Sequence, residues 1–151
     1  MTKKTEVTME KKIRDLPVYQ HSAGYAQEHG ELEAYRASHE ANVACRGIIE
    51  TAIAEHYRDN RLCEGAVAQV VEQFGYERPL YVLANTVKEK ENDGRISRSN
   101  REWAKAIPVA EDKDAWNQNH NRYFIVDRCN PGLVDLFIKQ IRKEYQKFAN
   151  G

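Results

Sequence analysis

The chain has few of the features that announce a reaction. It contains no GxSxG elbow, Walker loop, GxGxxG turn or HExxH pair, so nothing in it supports elbow-serine hydrolysis, P-loop or dinucleotide binding, or zincin chemistry. It has no excess of charge: 23 basic residues face 23 acidic ones, so no global field draws it to DNA or to an anionic membrane. Cysteine is scarce. Cys45, Cys63 and Cys129 are odd in number, widely spaced and form no CxxC, which predicts reduced thiols rather than a disulfide framework. No apolar run approaches 18 residues, and the opening MTKKTEVTMEKKIRD has no apolar stretch of the signal-peptide kind. The expectation is a soluble, cytoplasmic protein with no membrane partner and no cofactor.

At 151 residues the chain is long enough to bury roughly 70% of its unfolded surface without a disulfide or metal. Residues 1–15 are polar and of mixed charge and read as a tail. Residues 16–151 read as one helical domain. Ser22 caps a short helix that stops at His29-Gly30, and acids Glu31 and Glu33 open a long helix over 31–59. On a wheel centred on Ile49, its inner stripe holds Tyr35, Ser38, Asn42, Cys45, Ala52, Ile53 and His56. Polar groups on that stripe require hydrogen-bond partners. Together with Asn85 from a later helix, Tyr35, Ser38 and Asn42 form a candidate buried polar network, or a small-ligand site if they converge on a cavity.

A helix over 64–74 ends at Gly75. The next, over 78–89 with Pro79 in its first turn, is apolar on most sides and predicted to be central; Tyr81, Asn85 and Lys88 share its polar strip. Asp93-Gly94 turns the chain, Ile96 pins the loop to the core, and Ser99-x-x-Glu102 predicts a capping box for a helix ending before Pro108. Residues 109–121 read as loop and 122–128 as extended chain, at most one short strand or hairpin. Asn130-Pro131 starts a last helix with Leu133, Leu136, Phe137, Ile141, Tyr145 and Phe148 along one face. The fold class expected is all-α: five or six helices in one compact domain with a long polar loop.

Several constellations mimic chemistry. The segment 89–100 resembles a calcium loop, with acids at its first, third and fifth positions and Gly94 at the sixth, but Asn100 stands where a bidentate Glu must close the sphere. The five histidines never adopt a zinc-ligand spacing. Cys129 lies near Asp127 and His120 in sequence, which does not make a nucleophile and base meet in space. No catalytic residue and no metal ligand is assigned. What remains is surface. Residues 16–60 carry three arginines against seven acids, and residues 122–151 carry six basic residues against three acids. Arg95, Arg98, Arg101 and Lys105 cluster near Trp103, the pattern that binds phosphate or stacks a base. The candidate binding surface is therefore Asp93, Arg95, Ser97, Arg98, Asn100, Arg101 and Trp103, with Glu28, Glu31 and Arg36 on the acidic half.

Two blocks of residues carry a resemblance. The first is Tyr19-x-x-Ser22-x-x-Tyr25-Ala26-x-Glu28-His29-Gly30-Glu31-Leu32-Glu33-x-Tyr35-Arg36-Ala37-Ser38, followed by Asn42-x-x-Cys45. The second runs through Val82-Leu83-Ala84-Asn85-Thr86-Val87, Asp93-Gly94-Arg95-x-Ser97, Asn100, Trp103-Ala104 and Pro131-Gly132-Leu133-Val134-Asp135-Leu136-Phe137. Over about residues 17–146 the chain resembles a domain-of-unknown-function family of Firmicutes conjugative and integrated elements and their gut phage relatives. The resemblance implies an accessory protein of a mobile element and brings no catalytic set. In that setting the leading expectation is a non-enzymatic binding protein that inhibits a host defence nuclease or its nucleoprotein complex, of the anti-CRISPR or anti-restriction kind. The alternatives are a nucleic-acid-binding accessory of a conjugative element, using the basic cluster and the last helix, and a ligand or enzyme site around Tyr35, Asn42 and Asn85.

Overall fold

Residues 16–59, 61–63, 65–89, 93–107 and 130–150 are described in a computed structural model of the chain. They form six helices and one short hairpin: α1 (Ala23–Glu28), α2 (Leu32–His56), β1 (Tyr57–Arg58), β2 (Arg61–Leu62), α3 (Gly65–Phe74), α4 (Glu77–Glu89), α5 (Arg98–Lys105) and α6 (Pro131–Asn150). The all-α expectation holds. The tail 1–15, the loop 109–121 and the extended stretch 122–128 lie outside the described residues.

Local chemistry sets most boundaries. The Ser22 hydroxyl accepts from the Tyr25 N–H and starts α1. Gly30 and Gly75 follow α1 and α3 with φ of 68° and 72°, a left-handed conformation that glycine adopts without steric cost. Asn130 caps α6, its side-chain oxygen accepting from the Gly132 N–H at 2.8 Å. Two boundaries differ from expectation. The long helix stops at His56 rather than Asp59, because Tyr57–Leu62 folds back as an antiparallel hairpin, with Asp59 itself at φ 52°. The Ser99/Glu102 capping box does not form. Ser97 is the cap, its hydroxyl accepting from the Asn100 N–H, while Glu102 pairs with Lys105 at 3.3 Å. Ile96 explains the two-residue shift: it is 1% exposed, and seating it in the core fixes where the helix can begin.

The core gathers Cys45, Ile49 and Ile53 of α2, Val67 and Val70 of α3, Val82, Leu83 and Val87 of α4, and Phe137, Ile138 and Ile141 of α6. Helix α4 touches α2, α3, α5 and α6, the central position its composition predicts. Burial pushes the Cys45 thiol far above its ordinary value, against the opposing field of Arg78, so it packs as a small apolar group. Cys63 is exposed.

Candidate binding cleft between α4, α5 and α6

The loop before α5 is built by carboxylates. Asp93 Oδ1 accepts from the Arg95 backbone N–H (2.9 Å) and Nε (3.0 Å), and Oδ2 accepts from Nη2 at 2.8 Å. The hydrogen bond to Asp93 raises the Arg95 pKa, and the pair shapes the turn while the arginine side chain stays 58% exposed. A second carboxylate works inside. Asp135 of α6 is 6% exposed and accepts at Oδ1 from the Ser97 N–H and from Asn100 Nδ2, both at 2.8 Å. Asn100 Nδ2 also donates to the Asp135 carbonyl at 3.1 Å, and Lys139 approaches Oδ2 at 3.5 Å. Burial alone would raise the Asp135 carboxyl. The Ser97 N–H, the Asn100 amide, the Ser97 hydroxyl and Lys139 outweigh it and hold the carboxyl below its usual range.

Asn100, fully buried, has its oxygen left to accept, and it accepts from Arg142 Nη1 at 2.7 Å. The same nitrogen donates to Ser99 Oγ at 3.2 Å, and the guanidinium lies 5.4 Å from the Trp103 ring centroid, within cation–π reach. A chain of hydrogen bonds thus runs from Asp135 through Asn100 to Arg142. Among the described residues these bonds use Nη1.

Arg142 forms one wall of an open cleft of about 930 Å³. Helix α4 contributes Glu77, Leu80 and Tyr81, α5 contributes Ser99 and Trp103, and α6 contributes Lys139, Arg142, Lys143, Tyr145 and Gln146. Among these described lining residues three cations face one acid. A smaller hollow of about 430 Å³ lies across α5 and is lined by Lys88, Arg98, Arg101, Glu102 and Lys105. Lys88 spans toward the end of α5, donating to the Ile107 carbonyl at 2.8 Å, and burial lowers its pKa. Helix α5 is thus flanked by basic residues on both sides, with an indole between them.

The candidate residues from sequence therefore divide. Ser97 and Asn100 are scaffold, Trp103 lines the cleft, Arg98 and Arg101 line the second hollow, and Asp93 and Arg95 pair with each other. Glu28, Glu31 and Arg36 lie exposed and line neither hollow. There His21, Tyr25 and His29 stack in sequence, with centroids 4.1 and 3.8 Å apart, and Tyr19 donates its hydroxyl to Glu31 Oε1 at 3.2 Å. The expected buried network is only partly one network. Ser38 and Asn42 meet, and what joins them is Arg78, 2% exposed. Its Nη1 donates to the Ser38 carbonyl (3.0 Å), to Ser38 Oγ (3.2 Å) and to Asn42 Oδ1; Nη2 donates to the Leu16 and Pro17 carbonyls at 2.9 and 3.3 Å. The Asn85 amide donates to the Tyr81 carbonyl one turn back. Tyr35 is half-buried and packs edge-on against Tyr19. None of Tyr35, Ser38, Asn42, Arg78 and Asn85 lines either hollow.

Sequence reading missed Arg78, Asp135, Lys139, Arg142 and Lys143 as site residues. The last four recur on one flank of α6 at helical spacing, which was a readable signal; Arg78, next to Pro79 at a helix start, gave none. Of the chemistry-like constellations, Cys129, Asp127 and His120 lie outside the described residues, as does part of the calcium-like segment. Among the described residues no group of three His, Cys, Asp or Glu side chains could hold a metal ion, and no helix is long and apolar enough to cross a membrane.

Comparison with known families finds one whose model, described as "Protein of unknown function (DUF3849)", matches residues 18–146. No curated protein and no solved structure matches the chain.

Proposed function

The chain belongs to the DUF3849 family, and on that premise we propose that it is a binding domain whose ligand surface is the basic, indole-lined cleft between α4, α5 and α6, and whose ligand is nucleic acid. The observation that carries this reading is Arg142, held by Ser99 and Asn100 beside the Trp103 ring, with Lys139 and Lys143 along the same helix. An arginine fixed in this way presents donors in a set plane, which suits phosphate oxygens. An aromatic face next to cations suits a base beside its backbone. A mobile-element setting, which the sequence resemblance implies, would suit this reading, since such elements move as nucleic acid.

Three cations that displace counterions from a single strand give a log–log salt slope of about −2, a roughly 20-fold loss of affinity between 50 and 200 mM salt. Anisotropy titrations of labelled oligonucleotides over that range test the proposal. A flat salt response, or no binding at the lower salt, overturns it.

A second reading keeps the protein-docking inhibitor. Its support is the exposed acidic start of α2 beside the Tyr25 stack, a surface able to meet a basic channel of a defence nuclease. In that case nuclease inhibition is lost on reversing Glu28 and Glu31 and is indifferent to Arg142.

A further inference from the structure

The cleft does not end at Arg142. One turn along α6 it is lined by Tyr145, and one turn further stands Phe148. Both pack against Tyr76 from the α3–α4 turn, with ring centroids 5.3 and 5.0 Å away. Yet Tyr145 stays 43% exposed and Phe148 66% exposed. Tyr76 thus packs against the pair, and the structure keeps the Tyr145 ring partly turned to solvent in the lining of a cationic cleft, with Phe148 outside that lining.

We infer that the cleft takes single-stranded rather than double-stranded nucleic acid, with the backbone along Lys139, Arg142 and Lys143 and an unpaired base stacked on Tyr145. The inference rests on the nucleic-acid reading above and deepens it. Cations alone would serve a duplex as well as a strand. The ring decides between them, because a paired base has its faces covered by its neighbours, whereas a strand can lay a base on an aromatic ring. At about 100° per residue Tyr145 sits about 60° from Arg142 on α6, so one partner can cover charge and ring together, whereas Phe148 stands about half a turn from Lys139 and lies outside the lining.

The test uses the whole chain with a labelled 12-nucleotide single strand and the duplex of the same sequence, at fixed low salt. Wild-type protein should bind the strand more tightly than the duplex. Tyr145→Ala should weaken strand binding roughly tenfold and leave duplex binding unchanged. Tyr145→Phe should retain it. Arg142→Gln should weaken both. Tyr145 is 43% exposed, so its variants keep the fold, which circular dichroism checks. Equal or tighter binding of the duplex, or a Tyr145→Ala variant that binds the strand as wild type does, overturns this inference and leaves the broader reading standing. If neither oligonucleotide binds, the nucleic-acid reading itself falls and the inference falls with it.

Discussion

Replacing Arg78 tests how the helical core is assembled. Its guanidinium is buried and surrounded by neutral acceptors: Ser38, Asn42 and the carbonyls of Leu16 and Pro17. Burial lowers its pKa, but a guanidinium stays charged in a protein, so the cost of taking it out of water is offset by these bonds. In Arg78→Ala the Leu16 and Pro17 carbonyls, nearer the surface, can turn to water. Ser38 and Asn42 cannot, since they are 2% and 3% exposed. Ser38 Oγ keeps the Tyr19 N–H at 2.9 Å, so Asn42 Oδ1 is the buried acceptor left unsatisfied at about 1–3 kcal/mol, and with the volume lost the destabilisation comes to about 2–4 kcal/mol. That is a large share of the roughly 5–15 kcal/mol available to a domain. Arg78→Met keeps the stem and also removes the buried charge, so it should cost less, about 1–3 kcal/mol. Urea denaturation measures both. A double-mutant cycle with Asn42→Ala should show coupling above about 1 kcal/mol. An Arg78→Ala protein within about 1 kcal/mol of wild type, or no coupling to Asn42, refutes the claim that this residue ties the 16–19 lead-in to α2 and α4.

The other predictions address the site and its frame. Asp135 has a folded-state pKa below its ordinary value, so its contribution is complete above that value and is lost as pH falls through the folded one. Asp135→Asn should therefore be about 1–2 kcal/mol less stable than wild type at neutral pH, with the gap closing below about pH 4, as read by urea melts across pH; a gap independent of pH contradicts the assignment. Ser97→Ala should cost about 1 kcal/mol by thermal melting, and Ser99→Ala under about 0.5, since only Ser97 caps α5. Gly65→Ala places a Cβ 2.8 Å from the His56 ring and should destabilise by about 1–3 kcal/mol. The same substitution made in a His56→Ala background should cost nothing further.

Much of the fold was readable because it depends on local rules. Ser22, Gly30, Gly75, Pro79 and Asn130-Pro131 each mark an element end by a conformational or capping preference that neighbours do not override. Where tertiary packing decided, sequence misled. Ser97 and Ser99 are both able to cap, and the glutamate at 102 favoured the second until burial of Ile96 settled the register. The helix α2 pattern continued through Tyr57, but a left-handed Asp59 and pairing with Arg61–Leu62 ended it. The cleft was legible only in halves. Trp103 and the basic residues of α5 stood out, whereas Arg142 becomes a site residue only when α6 folds back against α5, 42 residues from Asn100.

The most direct measurement is an amide chemical-shift titration of the labelled protein with a short single-stranded oligonucleotide at low salt. The account predicts shifts at Ser99, Trp103 and its indole N–H, and along α6 at Lys139, Arg142, Lys143 and Tyr145, with the α1 and early α2 amides unmoved. Shifts centred instead on Glu28, Glu31 and Arg36, or none along α5 and α6, would contradict it.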